Sequence, residues 1–137
     1  MAKSSRIHEF YLDIDFWDDH CLLVWPVNKE QAEAWFDKKF PDYEKQDFSA
    51  LNSCQALSVL GSTCRVIFFR EWKNNIDYMG HLAHECVHVS NFILNDKGVR
   101  EEKGADEAQA YFVSFLFRKL YAALKQKGQT SSKRSER

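Results

Sequence analysis

Residues 81–89 read His81-Leu82-Ala83-His84-Glu85-Cys86-Val87-His88-Val89, and they organise the rest of the chain around them. Leu82, Cys86, Val89 and Ile93 recur at i, i+4, i+7 and i+11, the spacing of one buried helical stripe. His81, His84 and His88 recur at i, i+3 and i+7, on a different face of the same helix. The pattern predicts a long helix from about Ile76 to Asn95, with one side for the core and one side rich in imidazoles. Asp96-Lys97-Gly98 ends it, Gly98 being suited to a left-handed cap.

Inside this helix His84-Glu85-Cys86-Val87-His88 has the His-Glu-x-x-His spacing. Residues i and i+4 stand one turn apart on the same face, so two imidazoles there can converge on one tetrahedral zinc ion. Glu85 is one residue further round and does not complete that chelate easily. It is instead placed to take the proton of a metal-bound water, which zinc makes acidic enough for a carboxylate to serve as base. A purely structural helix gains nothing from three histidines on one stripe.

Two histidines hold zinc weakly, so a third ligand is needed. Downstream, residues 99–104 form a charged connector. A last helix is predicted from about Ala105 to Lys127, opening on Asp106-Glu107-Ala108-Gln109-Ala110-Tyr111. Glu107 is the first choice for third ligand, because the intervening chain is long enough for one helix to end and the next to return beside it. Asp106 is the substitute, or a hydrogen-bond acceptor that fixes a ligand histidine. Acidic residues in a first helical turn also simply complement the helix dipole. His81 shares the metal face and could stabilise an oxyanion, or be a solvated histidine. Tyr111, one turn past Glu107, could donate a hydrogen bond to a tetrahedral intermediate, or pack in the core. Tyr78 and Arg118 are weaker candidates for such a role. Phe112, Phe115, Leu116, Leu120 and Leu124 make an apolar stripe for the core.

Upstream, Phe10 to Phe16 alternates apolar and acidic residues, which reads as a strand. Asp18-Asp19-His20 reads as a turn and Cys21 to Trp25 as a second strand closed by Pro26, giving an N-terminal hairpin. Asn28 caps a predicted helix from Lys29 to Phe40, with Ala32, Trp35, Phe36 and Phe40 on one stripe. Residues 42–53 are polar and carry no clear pattern. Ala56 to Leu60 is a strand candidate, Gly61-Ser62 a turn, and Arg65 to Arg70 the strongest strand in the chain, β-branched and aromatic between charges. From Gly128 the sequence is polar and basic, expected to be a disordered tail after a single domain over 1–127.

The chain has 137 residues, enough for one core without disulfide staples. Its 45% hydrophobic and 15% aromatic content argue for a globular fold, and 19 basic against 20 acidic residues point to neither nucleic acid nor membrane as partner. Met1-Ala-Lys-Ser-Ser-Arg6 begins no signal peptide, so a cytoplasmic protein is expected. None of Cys21, Cys54, Cys64 and Cys86 forms a Cys-x-x-Cys pair, and all four read as small core residues with free thiols. The expected architecture is α+β: a small, mostly antiparallel sheet against three helices, with the metal between the last two.

His84-Glu85-x-x-His88 followed by Glu107 resembles a gluzincin-type zincin. The Glu-Ala-x-Ala-Tyr run at 107–111 is similar to small phage-encoded zincin-like proteins and, more distantly, to the metallopeptidases that cleave phage repressors. The likeness covers about residues 64–120. It implies one zinc ion per chain, hydrolysis of a peptide bond in a protein or peptide substrate, and location in a host cytoplasm if the chain is phage-encoded. It also implies a sheet edge strand ahead of the metal helix, a place that Arg65–Arg70 fits, where an extended substrate would add as a further strand. The chain departs from larger zincins in having no third histidine after the motif, no methionine-turn segment and no second domain to close a cleft. A different reading is a metal-stabilised binding protein that inhibits or redirects a host protein without cutting it; a closed shell of four protein ligands would mark it. Two histidines and a carboxylate also suit Fe(II), Mn(II) or Co(II).

Overall fold

The computed structural model describes residues 6–60, 65–99 and 105–129, the last stretch with its side chains from 107 to 126. Strand β1 (His8–Ile14) pairs antiparallel with β2 (Asp19–Trp25), His8 opposite Trp25 and Ile14 opposite Asp19. A short 3-10 turn over Asp15–Trp17 and a left-handed Asp18 (φ 52°) connect them; the hairpin is as expected, but its turn lies at Asp15–Asp18 and not at Asp18–His20, so Asp15 and Phe16 leave the first strand while Asp19 and His20 join the second. Helix α1 (Lys29–Lys39) follows, then a 3-10 turn over Ser49–Asn52 in the stretch that carried no pattern. Strands β3 (Ala56–Leu60) and β4 (Arg65–Phe69) pair antiparallel, and β4 runs parallel to β2. Helices α2 (Ile76–Asp96) and α3 (Ala105–Gln129) complete an α+β fold with one mixed sheet of order β1-β2-β4-β3.

The strand alternation separates two cores. Leu12, Ile14, Cys21, Leu23, Trp25, Ile67 and Phe69 face α2 and α3. Leu22, Val24, Val59, Val66 and Phe68 face α1 and the 49–52 turn, with Ala32, Phe36, Phe48 and Leu51. Because side chains point to alternate faces, a strand covered on both reads as an unbroken apolar run. That is the case for β4, buried at all five positions, and for Cys21 to Trp25 of β2. β1 keeps Glu9, Tyr11 and Asp13 exposed on its open face, hence its alternating sequence.

The sheet corrects one expectation. Arg65–Arg70 does not hold an edge; β4 is flanked by β2 and β3, and the edge beside α2 is β3. The run was apolar because it is interior, a position an edge strand with one solvated side does not share. Arg65 itself is buried and pairs with Asp96, tying the start of β4 to the last turn of α2.

Helix ends follow local chemistry. The Asn28 side chain accepts from Gln31 N–H while the Gln31 side chain accepts from Asn28 N–H, a reciprocal capping box. Asn75 caps α2 by accepting from Tyr78 N–H at 3.0 Å, a cap hidden in what reads as loop. Gly98 stands at φ 80°, and its N–H and that of Val99 close the last carbonyls of α2. Helix α3 runs through Gly128 to Gln129; the rest of the expected tail lies outside the described residues. Asn28→Ala should lower unfolding stability by about 1 kcal/mol, read as a shift in urea midpoint with unchanged slope.

Candidate metal centre

α2 buries Leu82, Cys86, Val89 and Ile93 completely against the sheet and α3. With that stripe fixed in the core, the register of a 3.6-residue helix turns His84 and His88 to solvent, and both are exposed. Their Nε2 atoms approach to 3.2 Å, with ring planes at 78°. Two nitrogens at ordinary zinc–nitrogen distances and a tetrahedral angle stand about 3.3 Å apart. The pair therefore has the spacing of two ligands of one ion. Without a metal the same contact is a hydrogen bond between one protonated and one bare ring nitrogen.

Glu85 lies a further third of a turn round, against the edge strand. It is only 6% exposed, and Ser58 of β3 donates its hydroxyl to Glu85 Oε1 at 2.6 Å. Burying a carboxylate is costly unless it is hydrogen-bonded, and among the described residues no cation stands within ion-pair distance of it. Ser58 is the functional-site residue that sequence reading missed. Its only signal was a hydroxyl inside an apolar strand, on the face it shares with Ala56 toward α2.

His81 is half-buried and turned to Tyr78, edge on at 5.5 Å, rather than to the histidine pair. The Tyr78 hydroxyl donates to Glu71 at 2.7 Å, and that bond to a carboxylate, with partial burial, raises the phenol above its usual range.

The two last helices run antiparallel. Gln109 reaches Ser90 and Asn91, and Tyr121 donates to Asn74 at 2.9 Å near the other end. Between these contacts Ala83 and Val87 of α2 and Ala110, Val113, Phe117 and Arg118 of α3 line a cleft of about 560 Å³. The α3 residues level with the histidine pair are thus those near Val113 to Phe117, and none of them is a metal ligand. Glu107 is exposed and precedes Gln109, beyond the level of Asn91; the structure does not bring it to the pair. The Asp106 side chain falls outside the described residues. Among the described residues, no group of three or more His, Cys, Asp or Glu side chains is placed to share a metal ion. Tyr111 is 74% exposed. It lies two residues on from Gln109, about 200° round α3, and so faces away from α2. Arg118 borders the cleft, with Nε 3.5 Å from the Ser114 hydroxyl.

The cysteines divide. Cys21 and Cys86 are buried, Cys54 is exposed rather than in the core, and Cys64 lies outside the described residues. Burial, with the Glu85 charge adding to it, pushes the Cys86 thiol up to about 12. An alkylating reagent at mildly basic pH should therefore modify Cys54 and leave Cys86 intact until the protein unfolds, as read by peptide mass spectrometry. No helix among the described residues is long and apolar enough to cross a membrane. No family model, no curated protein and no solved structure matches the chain.

Proposed function

We propose that the protein is a zinc-dependent peptidase. His84 and His88 would hold the ion, together with a carboxylate from the start of α3, Glu107 or Asp106. The observation that carries the reading is the convergence of the two Nε2 atoms to 3.2 Å beside a buried, hydrogen-bonded Glu85. The donor set fits zinc in part: two imidazoles are spaced for it, and the third ligand requires the first turn of α3 to close toward His88. A bound zinc ion would supply Lewis acidity to a carbonyl and acidify water.

The chain's own residues do the rest. Glu85 accepts the proton of the attacking water and returns it to the leaving amine. Ser58 orients that carboxylate by holding Oε1, which leaves Oε2 for the proton. The open edge of β3 would be the place for an extended peptide to pair, on the strand that packs directly against the helix carrying the histidines.

A test is to incubate zinc-loaded protein with a mixture of denatured proteins and read new termini by mass spectrometry. New termini made by the wild type and absent with Glu85→Gln support the reading. Termini that persist with Glu85→Gln, or no cleavage by zinc-loaded wild type, would reject hydrolysis by this site. One observation favours a second reading: Glu85 is almost enclosed and one of its oxygens is already engaged by Ser58. In that reading the metal only stabilises a binding protein for a host partner. Zinc uptake without cleavage is its signature.

A further inference from the structure

Phe16, in the turn between β1 and β2, is 58% exposed although it is a large apolar ring. It packs edge to face on Phe115 at 5.0 Å and on Phe112 at 5.6 Å, both from α3. Tyr111, 74% exposed, stands one turn before Phe115 and so extends the same aromatic row. The row is built from two separate elements, and Trp17 backs it at 6.4 Å from Phe112. A fold that needed these rings only for its own core would enclose Phe16 and Tyr111 as it does Phe112, which is 2% exposed.

The charges beside the row are divided between its ends, acidic around Phe16 and basic beyond Phe115. Asp15 and Asp18 are exposed on either side of Phe16 and Trp17, and Asp13 stands close enough to Asp15 for their mutual repulsion to raise the Asp13 carboxyl above its usual value. Arg118, exposed one turn after Phe115, and Lys119, over the Phe115 ring at 5.8 Å, are the positive charges at the other end. Exposed aromatic rings at the centre with charge at the rim are the arrangement that anchors protein partners. The acidic end around Phe16 chooses the sign of what docks. It repels an anionic lipid surface and attracts a basic segment.

We propose that Phe16, Tyr111 and Phe115 form a docking surface for a basic peptide segment of another protein that also carries apolar side chains. This surface lies on the side of α3 turned away from α2, so it is separate from the histidine pair and does not depend on the peptidase reading. Tyr111 and Phe16 supply the apolar contacts, and Asp15 and Asp18 pair with lysine or arginine at the rim.

The test uses the full chain and a short fluorescein-labelled peptide of lysines and leucines, with a glutamate-and-leucine peptide as control, read by fluorescence anisotropy. The expected result is binding of the basic peptide only, weakened about tenfold or more by Tyr111→Ala. Asp15→Lys should also weaken it, and added salt should reduce it further. Both substitutions fall on exposed positions, and circular dichroism of each variant checks that it folds. Equal binding of the two peptides, binding unchanged in Tyr111→Ala, or no binding at all overturns the proposal. So does loss in Tyr111→Ala of a wild-type dimer in sedimentation, which assigns the face to a second copy. Tyr111-dependent binding to phosphatidylcholine–phosphatidylglycerol vesicles, without peptide binding, would assign it to a membrane and equally overturn it.

Discussion

His88→Ala is expected to abolish the thermal stabilisation that zinc gives the wild-type protein. A ligand that binds only the folded state at a free concentration a hundred times its Kd adds about 2.7 kcal/mol. For a chain of 137 residues that is a rise of roughly 9 °C in Tm. Both Nε2 atoms are needed because neither imidazole alone makes the chelate, and the 3.2 Å approach exists only while both are present. The variant should fold as well as the wild type without metal, since His88 is exposed and contributes nothing to the core. The measurement is a pair of melting curves, with and without zinc, for each protein. A zinc-dependent rise that survives in His88→Ala would place the metal elsewhere.

The largest loss of intrinsic stability is expected from Phe68→Ala. Phe68 is fully buried in β4, between Val24 of β2 and Leu57 of β3. Its ring meets Trp35 of α1 and Phe48 edge to face, each at 5.5 Å. It is thus the largest of the sheet side chains that pack against α1 and the 49–52 turn, beside Leu22, Val24, Val59 and Val66. Removing a buried phenyl costs about 3–5 kcal/mol, from lost transfer energy and from the cavity left behind. Since domains are stable by about 5–15 kcal/mol, the variant should lose a large share of its margin. Urea unfolding monitored by tryptophan fluorescence measures it. A loss below about 1 kcal/mol would mean that the aromatic layer over this face collapses into the space.

The helices were legible because their signals are local. Leu82, Cys86, Val89 and Ile93 named the buried face of α2, and Asn28 named the start of α1. The hairpin was legible for the same reason, from alternation along β1. Sheet order was not. Whether a strand lies at an edge depends on pairing with residues far along the chain, so the apolar run of β4 gave its burial and not its neighbours. Ser58 was invisible for a related reason: its meaning comes from Glu85, 27 residues later in the chain, brought close only by the packing of α2 on β3. The histidine pair was legible because i and i+4 meet on any helix. The third ligand was not, because it depends on how α3 is registered against α2. That register is set by contacts such as Gln109 with Ser90, which no spacing rule supplies. Neither role expected of Tyr111 fits its exposure: with Phe112, Leu116 and Leu120 buried, the step of about 100° per residue turns Tyr111 outward.

Zinc stoichiometry tests the central claim most directly. The wild type and the His84→Ala and Glu107→Ala variants would be purified without chelator, equilibrated with zinc, desalted and measured by metal mass spectrometry. About one zinc per chain in the wild type and none in His84→Ala is the expected result, with partial loss in Glu107→Ala if that carboxylate closes the site. No zinc in the wild type, or an unchanged content in His84→Ala, would contradict a metal held by the pair on α2.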